Sequence, residues 1–203
     1  MNNDESRSRW ERRKERTRRG LLQAADHLFR EKGFDATTVE EIAHAADVAK
    51  GTFFNYFETK ETLLIYLLAM QIEDALAELP GAGQSAPERI RLTLKAAWDA
   101  LMPYRHLIRH AVLHNVRPPQ HHSDRPQKTQ RALVTLIHQG QREGTIRAEV
   151  DAEAAALFLN VYFLRLCFKE YTQEDASLDW ENQLDRGLDI IFNGLLTSKE
   201  PTQ

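Results

Sequence analysis

The stretch from Thr37 to Phe57 reads TTVEEIAHAADVAKGTFFNYF and decides the fold of this chain. Thr38 and Glu41 have the spacing of a capping box, in which a hydroxyl and a carboxylate each satisfy a backbone N–H at the start of a helix. The helix that begins there must be short, because the segment AADV at 45–48 follows almost at once. A third short helix then runs through 50–57. Two short helices joined by a turn of three or four residues predict a helix-turn-helix.

A longer helix precedes this stretch and another follows it. Apolar residues recur at helical spacing from Leu21 to Phe29, and Gly33 stands where a helix would stop. We therefore expect a first helix whose first half carries arginines and whose second half carries an apolar face. The following helix starts at 59–61 and has five apolar residues on its buried side, which are Leu63, Leu64, Leu67, Leu68 and Ile72.

The rest of the chain is also predicted to be helical. Helix-forming residues dominate, and seven prolines and nine glycines in 203 residues leave few interruptions. The clearest loops are 80–87, which is rich in glycine, and 117–124, which contains two adjacent prolines. We expect five more helices, at about 87–102, 103–115, 126–143, 152–171 and 178–197. The fold class is therefore all-α.

Charge is distributed unevenly along the chain, although the net charge is only −3. Between Arg7 and Arg19 there are eight basic residues against two acidic ones, a balance of +6. From residue 61 onward, 15 basic residues face 19 acidic ones, a balance of −4. A basic segment attached to an acidic body is typical of a protein whose one end binds a polyanion. The alternative is a solubilising tail, and the segment by itself does not distinguish the two.

The sequence also predicts the compartment. The first 19 residues are polar and lack the apolar core of a signal peptide. Ala154 to Phe168 is the longest apolar stretch, but Asn160 and Arg165 interrupt it and it is too short to span a bilayer. Cys167 is the only cysteine and has no partner for an internal disulfide. We expect a cytoplasmic protein with no membrane partner.

The region from Leu21 to Leu64 closely resembles the DNA-binding domain of the tetracycline-repressor (TetR) family. The resemblance implies a three-helix DNA-binding domain at 21–62, preceded at 1–20 by a basic arm and the start of the first helix. It further implies a helical domain at 63–200 for effector binding and dimerisation. A late signature of the family matches QREGTIRAEVD at 141–151. The matching residues are LQAA at 22–25, LF at 28–29, KGF at 32–34, TTV at 37–39, IA at 42–43, ADV at 46–48, KGTF at 50–53, YF at 56–57 and KETLL at 60–64.

By this resemblance, the helix from Ala49 to Tyr56 enters the major groove of DNA. Lys50 can donate to guanine or to a phosphate, and Thr52 offers a hydroxyl together with a methyl group that suits thymine. Gly51 lowers helix stability, so we expect it to permit close approach of the backbone to DNA. Phosphate contacts are expected at the first turns of the flanking helices. The predicted DNA-binding residues are Thr38, Lys50, Gly51, Thr52, Asn55, Tyr56 and Lys60.

Two positions depart from the family pattern. Asp47 occupies the turn position where the family most often has glycine, and aspartate tolerates the left-handed backbone expected there better than most residues. Phe54 stands where the family usually has tyrosine. Because a phenyl ring has no hydroxyl with which to bond a phosphate, the family's contact is not expected at Phe54.

The second domain is predicted to hold a small-molecule effector that the sequence does not identify. Such sites are mostly apolar with a few polar groups. For each candidate residue the alternative is an ordinary position in the core. The candidates are Trp98, Met102, Tyr104, His110, Leu113, Phe158, Tyr162 and Phe163.

His106, His110 and His114 lie four residues apart, on one face of a helix. Imidazoles at this spacing can bind zinc, so a metal- or pH-responsive sensor is an alternative function. No carboxylate pair or cysteine lies nearby in the sequence to complete a metal site. The chain also lacks a His-Glu-x-x-His motif, a phosphate-binding glycine loop and a nucleophile elbow. We therefore expect neither an enzyme nor a bound cofactor or metal.

The last predicted helix carries a seam of apolar residues at alternating spacings of four and three. This coiled-coil-like pattern favours packing between two subunits, although the seam can also pack inside one chain. The sequence thus predicts a homodimeric repressor that binds a palindromic operator on double-stranded DNA and is released by an effector. A DNA-binding scaffold without sequence preference is a further alternative. The seam consists of Leu184, Leu188, Ile191 and Leu195.

Overall fold

The computed structural model describes residues 2–79, 84–115, 128–172 and 179–194. Every regular element in these ranges is helical, which confirms the all-α prediction. A 3-10 turn at Met102–Tyr104 separates the fifth and sixth helices. The helices are α1 (Asn2–Lys32), α2 (Val39–Ala45), α3 (Lys50–Phe54), α4 (Lys60–Ala77), α5 (Ala86–Leu101), α6 (Arg105–Asn115), α7 (Lys128–Arg142), α8 (Ala152–Thr172) and α9 (Trp180–Asn193).

The basic N-terminal segment forms part of α1. Arginine, lysine and glutamate are good helix formers, and an Arg18–Glu15 ion pair at 3.3 Å links successive turns. The helix ends where it was predicted to end. Gly33 has a φ of 87°, and its N–H donates to the Phe29 carbonyl at 3.1 Å. A residue with a side chain would be strained in this left-handed conformation, so glycine suits the end of α1.

The last helix is shorter than predicted. α9 ends at Asn193, and Gly194 follows it with a φ of 76° while donating its N–H to the Ile190 carbonyl. Because the chain leaves the helical conformation at this glycine, the apolar pattern does not continue as helix to residue 197. Leu195, the last residue of the predicted seam, lies outside the described residues.

The described residues fall into two compact units. The first contains residues 2–68 together with 110–115, and the second contains 69–79, 84–109, 128–172 and 179–194. The division falls within α4, after Leu68, and within α6. The core of the first unit is built from α1 to α4 and includes Leu21, Ala25, Phe29, Ile42, Ala43, Phe53, Phe57, Leu63 and Leu64, all of which are buried.

The second unit packs α5, α7, α8 and α9 around a separate core. Trp98 of α5 stacks on Trp180 of α9, with ring centroids 4.4 Å apart. Tyr162 of α8 lies against α9 at Gly187, where a Cβ would come within 2.2 Å of the tyrosine ring. The helix pairing at this point therefore depends on the absence of a side chain. No helix within the described residues is both long enough and apolar enough to span a bilayer.

Candidate nucleic-acid interface

The start of α2 is held by the predicted capping box, which the structure confirms. The Thr38 backbone N–H donates to the Glu41 carboxylate at 2.8 Å, and the Glu41 N–H donates to the Thr38 hydroxyl at 3.3 Å. Lys32 at the end of α1 pairs with the same carboxylate. The Lys32 ammonium, followed by the hydrogen bonds from Thr38, lowers the pKa of Glu41 to about 2. The ion pair between Lys32 and Glu41 thus links the end of α1 to the capping box of α2.

The turn between α2 and α3 has the backbone expected for it. Asp47 adopts a φ of 54°, so the predicted left-handed residue is confirmed. Its N–H donates to the His44 carbonyl at 3.0 Å, and the Val48 N–H donates to the Ala43 carbonyl at 3.0 Å. These bonds satisfy backbone groups at the end of α2. They also determine the direction in which the chain enters α3.

One side of α3 is anchored in the core and the opposite side is exposed. Phe53 and Phe57 are fully buried, whereas Gly51 and Asn55 are exposed. Thr52 and Tyr56 are half-buried, at the borders between these two sides. The regular helix covers Lys50–Phe54, a shorter range than the predicted 49–56.

Lys50 lies at the start of α3 and is exposed. It forms an ion pair with Glu40 of α2, and this hydrogen bond is the main reason that the pKa of Glu40 is lowered. Both side chains are open to solvent, and ion pairs in such positions contribute little stability. Lys50 can therefore exchange Glu40 for a DNA phosphate or a guanine edge at small cost.

Gly51 has no structural reason to be glycine within this chain. A Cβ at this position would meet nothing within 4 Å, and its φ lies outside the left-handed region. Glycine inside a helix is less stable than alanine by about 1 kcal/mol. Folding alone therefore does not favour glycine here, and the observation supports its predicted role in close approach to DNA.

Lys60 has a role that the sequence analysis did not predict. Its ammonium donates to the carbonyls of Phe34 and Thr37, at 2.6 and 2.8 Å, and lies 4.2 Å from the centroid of the Phe34 ring. The ammonium therefore has partners within the chain, and its contact with a phosphate stays a prediction. The segment between α1 and α2 leaves these carbonyls without helical partners, and the lysine at the start of α4 satisfies them.

The two described histidines of the predicted histidine face lie in different environments. The His110 ring contacts Phe34 of the first unit, with centroids 4.5 Å apart and planes at 32°, and its assignment to an effector pocket stays a prediction. His106 is exposed, and the side chain of His114 lies outside the described residues. Within residues 2–79, 84–115, 128–172 and 179–194, no three His, Cys, Asp or Glu side chains are grouped so that they could hold a metal ion.

The other predicted pocket residues occupy different environments. Met102 is half-buried, and the side chain of Leu113 is not among those described. Tyr162 is half-buried, its hydroxyl donates to the Gln183 carbonyl, and desolvation raises its pKa. Phe158 is 66% exposed on the outer face of α8, so its prediction as a pocket residue is corrected. The remaining candidates are buried in the core of the second unit, namely Trp98, Tyr104 and Phe163.

The first two residues of the predicted dimer seam pack inside their own chain. Leu184 and Leu188 are buried against the second unit's core, and Ile191 is half-buried. Two exposed ion pairs, Arg91–Asp185 and Lys95–Glu181, link α5 to α9. The exposed apolar face lies on α8 instead, and the sequence analysis missed it. The available signal was that the stretch 154–168 is apolar at nearly every position, which is more than one buried face of a helix requires.

Comparisons with known proteins agree with this architecture. The family model described as "Bacterial regulatory proteins, tetR family" matches residues 21–67. The HTH-type transcriptional repressor KstR2 of Rhodococcus jostii is 26% identical over 149 residues, which cover 68% of this chain and 72% of that protein. The structure of Thermus thermophilus FadR, a TetR family transcriptional repressor in complex with lauroyl-CoA, is similar with a TM-score of 0.69. It is 22% identical, and the match covers 92% of this chain and 98% of that chain.

A second solved structure has the same fold. The transcriptional regulator FadR from Bacillus subtilis, in complex with stearoyl-CoA, gives a TM-score of 0.56 at 20% identity, covering 87% of this chain and 98% of that chain. The matching relatives are regulators of transcription and not enzymes. The family match falls on the helices that form the exposed surface around α3, and the structural matches extend over most of the chain. Residues 21–67 of this chain are therefore a DNA-binding domain of the TetR family of bacterial regulatory proteins.

Proposed function

We propose that this protein is a cytoplasmic repressor that binds a palindromic operator as a homodimer and leaves it when a small molecule binds. The observation that carries this proposal is the exposed side of α3, where Gly51 and Asn55 lie opposite the buried Phe53 and Lys50 is exposed at the start of the helix. A short helix anchored on one side and exposed on the other suits insertion into the major groove.

The proposed base contacts follow from the chemistry of this surface. Thr52 provides a hydroxyl and a methyl group, Asn55 can pair with an adenine edge, and Lys50 can donate to guanine. The bare backbone at Gly51 allows these side chains to approach the base edges closely. Thr38 and Tyr56 lie at the borders of the surface and are proposed to contact the DNA backbone, which positions the helix without specifying sequence.

The proposed dimer uses the outer face of α8. Leu157, Phe158, Val161 and Leu164 are 59, 66, 58 and 43% exposed, and their spacing places them on one side of the helix. Ile190 of α9 is also half exposed. Monomeric proteins rarely leave such a continuous apolar face open to water. One short recognition helix covers only a few base pairs, so specific binding calls for a second copy, and this face is the proposed contact between the copies.

The proposed effector is an amphiphile with a long apolar chain, such as an acyl-CoA. Two proteins of the same fold are complexes with lauroyl-CoA and stearoyl-CoA. The middle helices of this chain are rich in large apolar side chains, which suit a ligand of that kind. If the effector weakens operator binding, the operator must weaken effector binding by the same factor.

The test begins with selection from a randomised duplex library, followed by fluorescence anisotropy of the enriched duplex and a scrambled duplex at several salt concentrations. We expect binding to the enriched duplex to be tighter by at least about a thousandfold, and to be reversed by lauroyl-CoA but not by free coenzyme A. Equal affinity for both duplexes would indicate a scaffold without sequence preference. Specific binding that lauroyl-CoA leaves unchanged would reject the proposed effector class alone.

A further inference from the structure

Phe54 is an apolar side chain left open on the recognition helix. It is 50% exposed, whereas Phe53 beside it and Phe57 one turn later are completely buried. The ring is held at its edge by Phe53, with centroids 5.4 Å apart and planes at 79°. Phe54 therefore has a supported position with half of its surface facing solvent. An apolar ring gains nothing from water there, and it becomes favourable when a partner covers it.

The neighbours of Phe54 indicate what that partner is. Lys50 precedes it by four residues and Gly51 by three, so all three lie on adjoining parts of one helical face. At Gly51 the backbone is bare, with open space where a side chain would be. The accessible backbone of Gly51 and the cation of Lys50 thus lie next to Phe54. This combination of close approach and positive charge favours the floor of a DNA groove as the partner.

We propose that Phe54 is a specificity-determining residue whose ring contacts the C5-methyl group of a thymine in the operator. This inference rests on the proposed function. A phenyl ring cannot donate or accept a conventional hydrogen bond, so the polar edges of the bases offer it nothing. The methyl group of thymine is the apolar group that the major groove displays, and phenylalanine is among the side chains suited to contact it. At this position of α3, phenylalanine would contact a base, whereas the hydroxyl of a tyrosine would bind a phosphate.

The experiment removes the proposed contact in two ways, by deleting the methyl group from the DNA and by deleting the ring from the protein. The duplex enriched by the wild-type protein is resynthesised with single thymine-to-uracil replacements, each of which deletes one methyl group and leaves base pairing intact. Binding is measured by anisotropy for the wild type, Phe54→Ala and Phe54→Leu. Thr52→Ser serves as the matched control, because it deletes the other methyl group that α3 offers to thymine. Thermal melting of each variant checks that the first unit remains folded.

We expect at least one thymine at which loss of the methyl group weakens wild-type binding by about fourfold, the effect of one buried methyl group. The same replacement should leave binding by Phe54→Ala nearly unchanged. Phe54→Leu should keep part of the discrimination, and Thr52→Ser should keep all of it at that position. At a given position, Thr52→Ser can abolish the preference for thymine over uracil while Phe54→Ala keeps it. The methyl group at that position is then contacted by Thr52, and the result does not support the proposal.

The inference is overturned if Phe54→Ala retains the wild-type ratio of thymine to uracil affinity at every position of the operator. It is also overturned if Phe54→Ala lowers affinity equally for all duplexes, because a ring packed on the sugar–phosphate backbone would behave in this way. Neither result would affect the proposed function, since the enriched duplex would still be bound specifically. Failure of the wild type to enrich any sequence would overturn both.

Discussion

The two compact units differ in how many of their large apolar side chains are exposed to solvent. In the described part of the first unit, Trp10 and Phe54 are the large apolar side chains left mostly exposed, and the surface around α3 is otherwise polar. In the second unit, α8 alone exposes four large apolar side chains on one face. The first unit therefore buries nearly all of its described large apolar side chains within itself. The second unit carries an exposed apolar surface on α8, and this is the surface that the proposed dimer would bury.

The interiors differ in a related way. In the first unit, polar groups complete the packing, as Lys60 does for two loop carbonyls and Glu41 does for the start of α2. In the second unit, close contacts between rings and backbone complete the packing. Trp98 stacks on Trp180, and the Tyr162 ring packs against Gly187. Substitutions at these places test whether the two units differ in this way.

The largest effect is expected at the exposed face of α8. Val161→Glu places a charge in the centre of the proposed interface, where burying an unpaired carboxylate is strongly unfavourable. We expect monomers in multi-angle light scattering and loss of the shift of a palindromic operator. Because Val161 is exposed in the single chain, the melting behaviour of each unit should persist.

The matched control for that substitution is Thr135→Glu, which adds the same charge at an exposed position on α7. It should leave the dimer intact. A stable Val161→Glu dimer that still binds the operator would show that the α8 face has another use, and the contrast between the two units would then have a different explanation.

A smaller effect is expected inside the second unit at Gly187. The methyl group of Gly187→Ala would overlap the Tyr162 ring, whose Cζ lies 2.2 Å from the added Cβ. Overpacking of this kind lowers the free energy of unfolding by about 1–3 kcal/mol. Urea denaturation measures the change, and the double variant with Tyr162→Leu should recover part of the loss. Equal stability of Gly187→Ala and the wild type would contradict the close packing of α8 on α9.

A comparable or slightly smaller loss is expected in the first unit at Lys60. Lys60→Met keeps the length of the side chain but leaves the carbonyls of Phe34 and Thr37 without their donor. We expect a loss of about 1–2 kcal/mol in the free energy of unfolding, as for a partly buried hydrogen-bonding group left unpaired. The salt dependence of operator binding should not change. If Lys60 contacted a phosphate, the salt slope would instead fall by about one.

The smallest effect concerns the pH dependence of the capping box. The pKa of Glu41 is lowered from 4.5 to about 2 in the folded chain. Its contribution to stability is therefore fully present above pH 4.5 and is lost as the pH falls from there towards 2. Compared with the wild type, Glu41→Gln should lose less stability across this window, as followed by thermal melting. Parallel curves for the two proteins would mean that Lys32 and Thr38 do not stabilise the carboxylate.

Local chemistry made much of the first unit predictable. The capping box at Thr38 and Glu41, the left-handed residue at Asp47 and the end of α1 at Gly33 each depend on neighbours within a few residues. Such short-range rules apply before any tertiary contact forms. The long basic segment was harder to place, because the same composition suits a helix or a solvated tail.

Long-range contacts decided what local patterns left open. Lys60 reaches the carbonyl of Phe34 across 26 positions of sequence, and no local pattern distinguishes such a lysine from one that meets a phosphate. His110 was likewise grouped by its spacing with other histidines, yet its ring contacts Phe34.

The sequence by itself determined the helical fold, the family and the surface of α3, since each follows from periodicity and from a motif confined to one segment. Only the tertiary structure decided which apolar faces remain open. Leu188 and Val161 are both apolar residues on helices, but one is buried in the chain and the other is exposed. Periodicity shows that a helix has an apolar face. It does not show whether that face meets its own chain or a second copy, because both kinds of burial satisfy the same hydrophobic effect.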